Sequence, residues 1–428
     1  MPIVMPTVSS KMPLAAALLA GVFLCGARLS GAEITSRTTL SEAPPWYNAV
    51  YVEKTGTVMR GGSQLSELST DNGKTWQRSP MTPDYLEGLP YGFRRETPMA
   101  ACDPDSGRFI GVLTALDTEG LDPSINEPDE GQELYYLRCR VSLDGGKTWA
   151  YDEPMTGGEG YTKGRPFDDM IIGRNSFYLG DRGSIPFFTK GGKLLIPAQM
   201  TVLSDDPNGK WYRPHNILSW TDAIFLIGTW NAEKEKYDWE RSQRIRIDLA
   251  RSTRGMIEPT LYEAPDGRLL AVMRGSNGGG GDPNCEIPSY RWFSISEDGG
   301  YHWSDPQPWT YDTGENFFSP SSMSVLFRHS SGRGFWIGNI SDTNCRGNDP
   351  RHPLMFGEVD PETLQLKKGS IITIDKIEEA DKDRLPLACC HSGVYEDRQT
   401  GELVITYIRG YNGYKTKEYV TVRIDVNK

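Results

Sequence analysis

An all-β chain folded as a six-bladed β-propeller is what this 428-residue sequence predicts. Three observations lead there. An eight-residue pattern, Ser-x-Asp-x-Gly-x-x-Trp, occurs three times, beginning at Ser69, Ser142 and Ser296. A fainter repeat of strand, glycine turn and apolar strand runs between those copies. The composition, with 46 Gly, 29 Pro, 11 Trp and 20 Tyr, suits many turns and an aromatic-rich surface.

The three copies read Ser69-Thr-Asp-Asn-Gly-Lys-Thr-Trp76, Ser142-Leu-Asp-Gly-Gly-Lys-Thr-Trp149 and Ser296-Glu-Asp-Gly-Gly-Tyr-His-Trp303. Asp-Asn-Gly and Asp-Gly-Gly are hairpin-turn chemistry: glycine supplies positive φ and the aspartate side chain caps backbone amides. The tryptophan closes the hairpin against its neighbours. The pattern resembles the Asp-box of sialidase-like β-propellers, where the resemblance implies a turn and packing role. Asp144 and Asp298 are therefore occupied by their turns and are poor candidates for a catalytic acid.

The second repeat has five clear copies. Pro98 leads to Gly107-Arg-Phe-Ile-Gly-Val-Leu113, Pro186 to Gly192-Lys-Leu-Leu-Ile-Pro197, and Pro259 to Gly267-Arg-Leu-Leu-Ala-Val272. Pro320 leads to Gly332-Arg-Gly-Phe-Trp-Ile337, and Gly393 to Gly401-Glu-Leu-Val-Ile-Thr406. Each reads as a hairpin, and the stretch from Tyr47 to Ser63 supplies a degenerate first unit. Six units predict six blades.

Residues 1–32 form a separate object. Lys11 precedes an apolar run from Met12 to Cys25, with small residues at Ser30 and Ala32, as in a secretory signal peptide cut after Ala32. The run is too short to span a bilayer, and no later stretch reaches the roughly 20 apolar residues a membrane helix needs. The expectation is a single domain over residues 33–428, secreted or periplasmic, without a membrane span. The net charge of −11 would become −13 on loss of Lys11 and Arg28. Such a surface argues against nucleic acid or an anionic membrane as partner. Beyond Cys25 six cysteines remain, whose wide spacing matches no metal-ligand pattern. Adjacent Cys389 and Cys390 point to opposite faces of a strand, so at least one is expected to be a buried thiol. No metal, phosphate-loop or dinucleotide motif is present, and no cofactor is expected.

In a propeller the inner strands of all blades converge at one end of the axis. Just before the hairpins the repeat nominates Arg94, Arg95, Ser184, Glu258, Ser319 and His391. Seven residues beyond the turn glycine it nominates Thr114, Gln199, Arg274 and Asn339, with Asp117 nearby. Polar side chains ending apolar strands are not what core packing requires.

The segment from Glu258 through Arg274, followed by Ser296 of the third eight-residue copy, closely resembles the corresponding stretch of bacterial exo-sialidases. That resemblance implies an arginine triad clamping a substrate carboxylate, a tyrosine nucleophile with a glutamate as its base, and an aspartate acid/base. Guanidinium forks bind carboxylates bidentately, and sialidases depart from the paired-carboxylate glycosidases. Carried over, Glu258 and Arg274 match. Arg95, with Arg94 beside it, stands nearest the family's first arginine, and Arg351 or Arg346 is the third. Asp117 is the candidate acid. The family's Tyr-Ser pair aligns with His391-Ser392. Either a tyrosine arrives from elsewhere, or His391 serves as a proton-transfer group in different chemistry. The expected function is hydrolysis of a terminal acidic sugar, sialic acid first, from a glycan. The alternatives are a lyase acting on uronate-containing polysaccharide through His391 and a tyrosine, and a glycan-binding propeller without catalysis.

Overall fold

The computed structural model describes residues 31–54, 56–62, 65–78, 99–103, 105–116, 131–217 and 219–428. Six antiparallel sheets follow one another along the chain. Blade one holds Val50–Tyr51, Met59–Gly61, Glu67–Ser69 and Gln77–Arg78. Blade two holds Met99–Cys102, Phe109–Ala115, Tyr136–Ser142 and Tyr151–Pro154. In blade three the inner position is split between Phe177–Tyr178 and Phe187–Phe188, both paired with Leu194–Thr201, and Thr221–Asn231 and Lys236–Arg241 complete the sheet. Blade four holds Ile257–Glu263, Leu269–Arg274, Arg291–Ser296 and Gln307–Pro308. Blade five holds Val325–Arg328, Gly334–Asn339, Leu354–Val359 and Ile372–Asp375.

Blade six takes Leu387–Glu396, Leu403–Tyr411 and Thr416–Asp425 from the end of the chain and its outermost strand, Glu33–Leu40, from the beginning. The ring is thus closed by hydrogen bonds between the two ends. Sequence reading began the first unit at Tyr47 and did not place Glu33–Leu40. That strand is mostly exposed along its length, so it carries no apolar alternation to read.

The hairpin between the first two strands turns at a glycine with positive φ in all five clear copies, from 71° at Gly107 to 92° at Gly267. The eight-residue copies lie farther out, between third and fourth strands. In each, the serine hydroxyl accepts the amide of the residue four positions on: Gly73 at 2.8 Å, Gly146 at 2.7 Å and Gly300 at 2.9 Å. The aspartate accepts further amides of the turn, Thr75, Thr148 and His302. These hydrogen bonds help hold Asp71 and Asp298 down at about 2.

The cores lie between blades. One joins blades two and three, and others join three to four, four to five, and five to six. Trp303 shows the gain: its ring lies 4.4 Å from that of Phe225 in the preceding blade, with its indole N–H on the Gly300 carbonyl. Truncating such a ring costs about 3–5 kcal/mol. No helix among the described residues is long and apolar enough to cross a membrane.

Candidate functional site

Inner strands of blades four and six each break register at the same end of the ring. In blade four the break falls between Ile257 and Thr260, and Glu258 adopts φ 51°. Such a β-bulge re-aims one side chain. The Glu258 amide donates to Gln199 Oε1 of blade three at 2.7 Å. Its carboxylate lies 3.0 Å from Arg274 Nη1, an ion pair without hydrogen-bond alignment, since Glu258 Oε2 has no hydrogen-bond partner. Gly180 packs so closely that a Cβ there would stand 2.6 Å from Glu258 Cα. A side chain at residue 180 would displace the bulge.

Arg274 is buried and pairs across the sheet with Arg291. Burial lowers the pKa of both guanidiniums, and Arg291, further opposed by the Arg274 charge, is pushed down to about 9. Arg291 is tied inward by Ser319 Oγ at 2.9 Å.

In blade six the break lies between Cys390 and Gly393, and His391 takes φ 55°. Its Nδ1 lies 2.7 Å from Asp181 Oδ2. The Tyr47 hydroxyl donates to the His391 carbonyl, and the Arg182 guanidinium stacks 3.7 Å over the Tyr47 ring while reaching Asn48. Burial disfavours charge on both His391 and Asp181, but their mutual attraction wins. It holds the imidazole well above its usual range and the carboxyl well below its own. Beside them Cys390 Sγ lies 2.6 Å from the Tyr414 hydroxyl, and Arg351 Nη1 donates to that hydroxyl at 3.1 Å. The His391 and Tyr414 rings meet edge to face at 5.8 Å.

Expected residues divide in three. Glu258 with Arg274, and His391 with Arg351, fall in these two groups, and the Arg274 charge is felt by Glu258, Arg254, Arg351 and Asp181. Arg346 is exposed, in a turn paired through its backbone with Asp349. Arg94, Arg95 and Asp117 lie outside the described residues. Thr114, Gln199 and Asn339, nominated as rim positions, spend their side chains on the next blade. They bond the Leu179 amide, the Glu258 amide and the Cys389 carbonyl. Their polarity stitches blade to blade, which the repeat alone did not reveal.

Asp181, Arg182 and Tyr414 were not anticipated. Asp181 sits where blade three's inner strand is interrupted, three positions before the nominated Ser184. Tyr414 belongs to an outer hairpin where Asn412, Gly413 and Tyr414 all have positive φ, 49°, 67° and 63°. Strand alternation says nothing about direction there. The phenols near His391 in sequence go elsewhere: Tyr407 bonds Asp375 at 2.6 Å, and Tyr395 packs on Tyr51. Among the described residues no phenol hydrogen-bonds Glu258.

At this site four arginines retain a buried N–H without a hydrogen-bond partner: Arg254 Nε, Arg274 Nε, Arg291 Nη1 and Arg351 Nε, half of the eight arginines with such an atom among the described residues. Unsatisfied buried donors on charged groups are costly. Their concentration beside Glu258 and Asp181 makes a net positive site in an acidic protein. No group of three or more His, Cys, Asp or Glu among the described residues could hold a metal, and the six described cysteines are free.

Solved structures extend the comparison. A protein of unknown function from Dyadobacter fermentans superposes with a TM-score of 0.53 at 14% identity, covering 92% of this chain and 100% of its own. A sialidase from Trypanosoma rangeli gives 0.50 at 13% identity over 88% of this chain and 54% of that one. The sialidase NanB from Streptococcus pneumoniae gives 0.50 at 14% over 96% and 71%. The fold is a sialidase-type propeller. This chain spans about half the length of the trypanosomal sialidase chain. No protein-family model matches the chain, and no curated sequence does.

Proposed function

We propose that this sialidase-type propeller is an exported enzyme that hydrolyses a terminal acidic sugar, sialic acid first, from a glycan. The observation that carries the reading is the set of buried guanidinium donors without partners on Arg254, Arg274 and Arg351. A carboxylate entering among them would satisfy donors that the protein leaves open, and would do so by charge-assisted bonds. Arg94 or Arg95 would add the remaining guanidinium. Glu258 holds Arg274 in place as its counter-charge. Tyr414, with Arg351 on its oxygen, supplies the phenol that position 391 lacks, and it attacks the anomeric carbon. Asp117 delivers a proton to the departing oxygen. The apolar run of residues 12–25 supports export.

The edge-to-face pairing of His391 with Tyr414 favours one second reading, elimination on a uronate, with imidazole and phenol moving the proton. Incubation with sialylated and uronate-capped oligosaccharides separates the two. Release of free acidic sugar without new ultraviolet absorbance supports hydrolysis, whereas an absorbing unsaturated product replaces it with elimination. Binding of both without turnover leaves a glycan-binding propeller.

A further inference from the structure

Cys389 and Cys390 are neighbours with opposite surroundings. Cys389 lies in the apolar core between blades five and six, where burial raises its thiol pKa. Cys390, on the other face of the strand, is equally buried but ringed by polar groups. Arg351 Nη1 lies 3.8 Å from its sulfur, the Tyr414 hydroxyl is at 2.6 Å, and the next residue is His391, itself held by Asp181. The Cys389 amide bonds the Arg351 carbonyl at 2.8 Å, which fixes the arginine's backbone beside the thiol.

Hydrogen-bond accounting sets the direction. Arginine can only donate, so the Tyr414 oxygen accepts from Arg351 Nη1 at 3.1 Å. The phenol's single proton is then left for the sulfur. A sulfur facing a guanidinium, an imidazole backed by a carboxylate and a phenolic O–H is placed to accept.

We propose that Cys390 is a positioning residue for Tyr414, orienting the phenol in the site and accepting its proton when the phenol reacts. The proposal rests on the reading of Tyr414 as the attacking group. In the step, the Tyr414 O–H bond breaks as the O–C bond to the anomeric carbon forms. The proton passes to the Cys390 thiolate, giving a thiol, and the glycosidic bond's electron pair leaves with the aglycone. When water later attacks the anomeric carbon it gives its proton to the Asp117 carboxylate left after the aglycone was protonated, the phenol regains its proton from Cys390, and no oxidant or reductant is consumed. His391, kept cationic by Asp181, and Arg351 hold the thiolate before the step. Burial opposes that charge, yet these neighbours pull the thiol below its ordinary range.

Ultraviolet titration of thiolate absorbance in the full chain tests this without any substrate. One thiolate should form below the ordinary thiol range of about 8.5, vanish in Cys390→Ser and persist in Cys389→Ser. In Tyr414→Phe, which removes a donor to the sulfur without emptying the core, the transition should move to higher pH. A low-pH transition unchanged in Cys390→Ser, or unmoved in Tyr414→Phe, overturns the proposal. With a turned-over substrate, Cys390→Ser should lower kcat at least tenfold with little change in KM, and shift the acidic limb of the pH profile. A rise in KM at constant kcat would also overturn it. If the parent turns over no acidic glycan, the substrate reading fails while the titration still decides on the thiol.

Discussion

The inner strand of blade four and that of blade six each carry a register break at which one side chain takes a left-handed backbone, Glu258 at φ 51° and His391 at φ 55°. For a residue with a Cβ that conformation costs roughly 1–2 kcal/mol, and in both blades the cost re-aims a charged side chain toward the same end of the ring. Their partners differ. Glu258 faces Arg274, which comes from the adjacent strand of its own sheet, so that ion pair is made within one hairpin, although the bulge that carries Glu258 rests on Gln199 and Gly180 of blade three. His391 faces Asp181, which comes from blade three, and its neighbour Cys390 faces Tyr414 from the outer hairpin of blade six. The first ion pair is local to two strands; the second group of contacts needs three separate segments to meet.

That contrast can be broken in several ways. The largest effect is expected from Arg274→Ala, which should abolish turnover of an acidic substrate, by at least about a hundredfold in kcat/KM. It also strands the Glu258 carboxylate, at a cost of about 3–5 kcal/mol by denaturant unfolding. Unchanged activity would remove the carboxylate clamp. Tyr414→Phe should lower kcat by about 100-fold or more while costing about 1–3 kcal/mol of stability for the hydrogen bonds its hydroxyl makes to Arg351 and Cys390. Unchanged kcat per folded molecule would make Tyr414 a structural residue only.

Asp181→Asn sharpens the comparison through pH. The Asp181 carboxyl is lowered in the fold, so its contribution is present above its unfolded value of about 4 and lost as pH falls toward the folded value. The His391 imidazole is raised, so its contribution is full below about 6.5 and lost as pH rises through its folded value. The stability gap between parent and Asp181→Asn should therefore be widest between about pH 4 and 6.5 and narrow at both extremes. A gap independent of pH would deny the ion pair. The smallest effect is expected far from the site. Ser142→Ala orphans the buried Gly146 amide and should cost about 1–3 kcal/mol, with turnover per folded molecule unchanged; a loss of kcat would give the eight-residue turns a part in catalysis.

The same local-against-assembled distinction governs what the sequence could tell. Glu258 and Arg274 stand at fixed offsets around one turn glycine, so counting from Gly267 finds both. His391 is found the same way from Gly401. Asp181 is not, because blade three's inner strand is interrupted between Tyr178 and Phe187, and counting back from its proline lands on Ser184. Tyr414 escapes because its turn residues are left-handed and period-two alternation stops at Tyr411. Polarity misled at Thr114, Gln199 and Asn339: buried side chains that bond the next blade look, in sequence, like side chains reserved for a ligand. The six-blade count was legible because turns repeat, while the contribution of Glu33–Leu40 to the sixth blade was not, since an exposed edge strand carries little pattern.

That shared sixth blade has a consequence for how the protein comes to life. The strand made first, Glu33–Leu40, finds its hydrogen-bonding partner, Thr416–Asp425, only when the last residues have been made. The pairing spans nearly the whole chain, the kind of contact that forms slowly. His391 and Cys390 reside on the inner strand of that same sheet, so the blade that carries them is completed only when the two ends of the chain have met. A circularly permuted version, with residues 33 and 428 joined and the chain reopened between two other blades, would move this seam elsewhere. It would let blade six form early, and protection of its backbone amides from hydrogen exchange during refolding would then no longer have to wait for the two ends to meet.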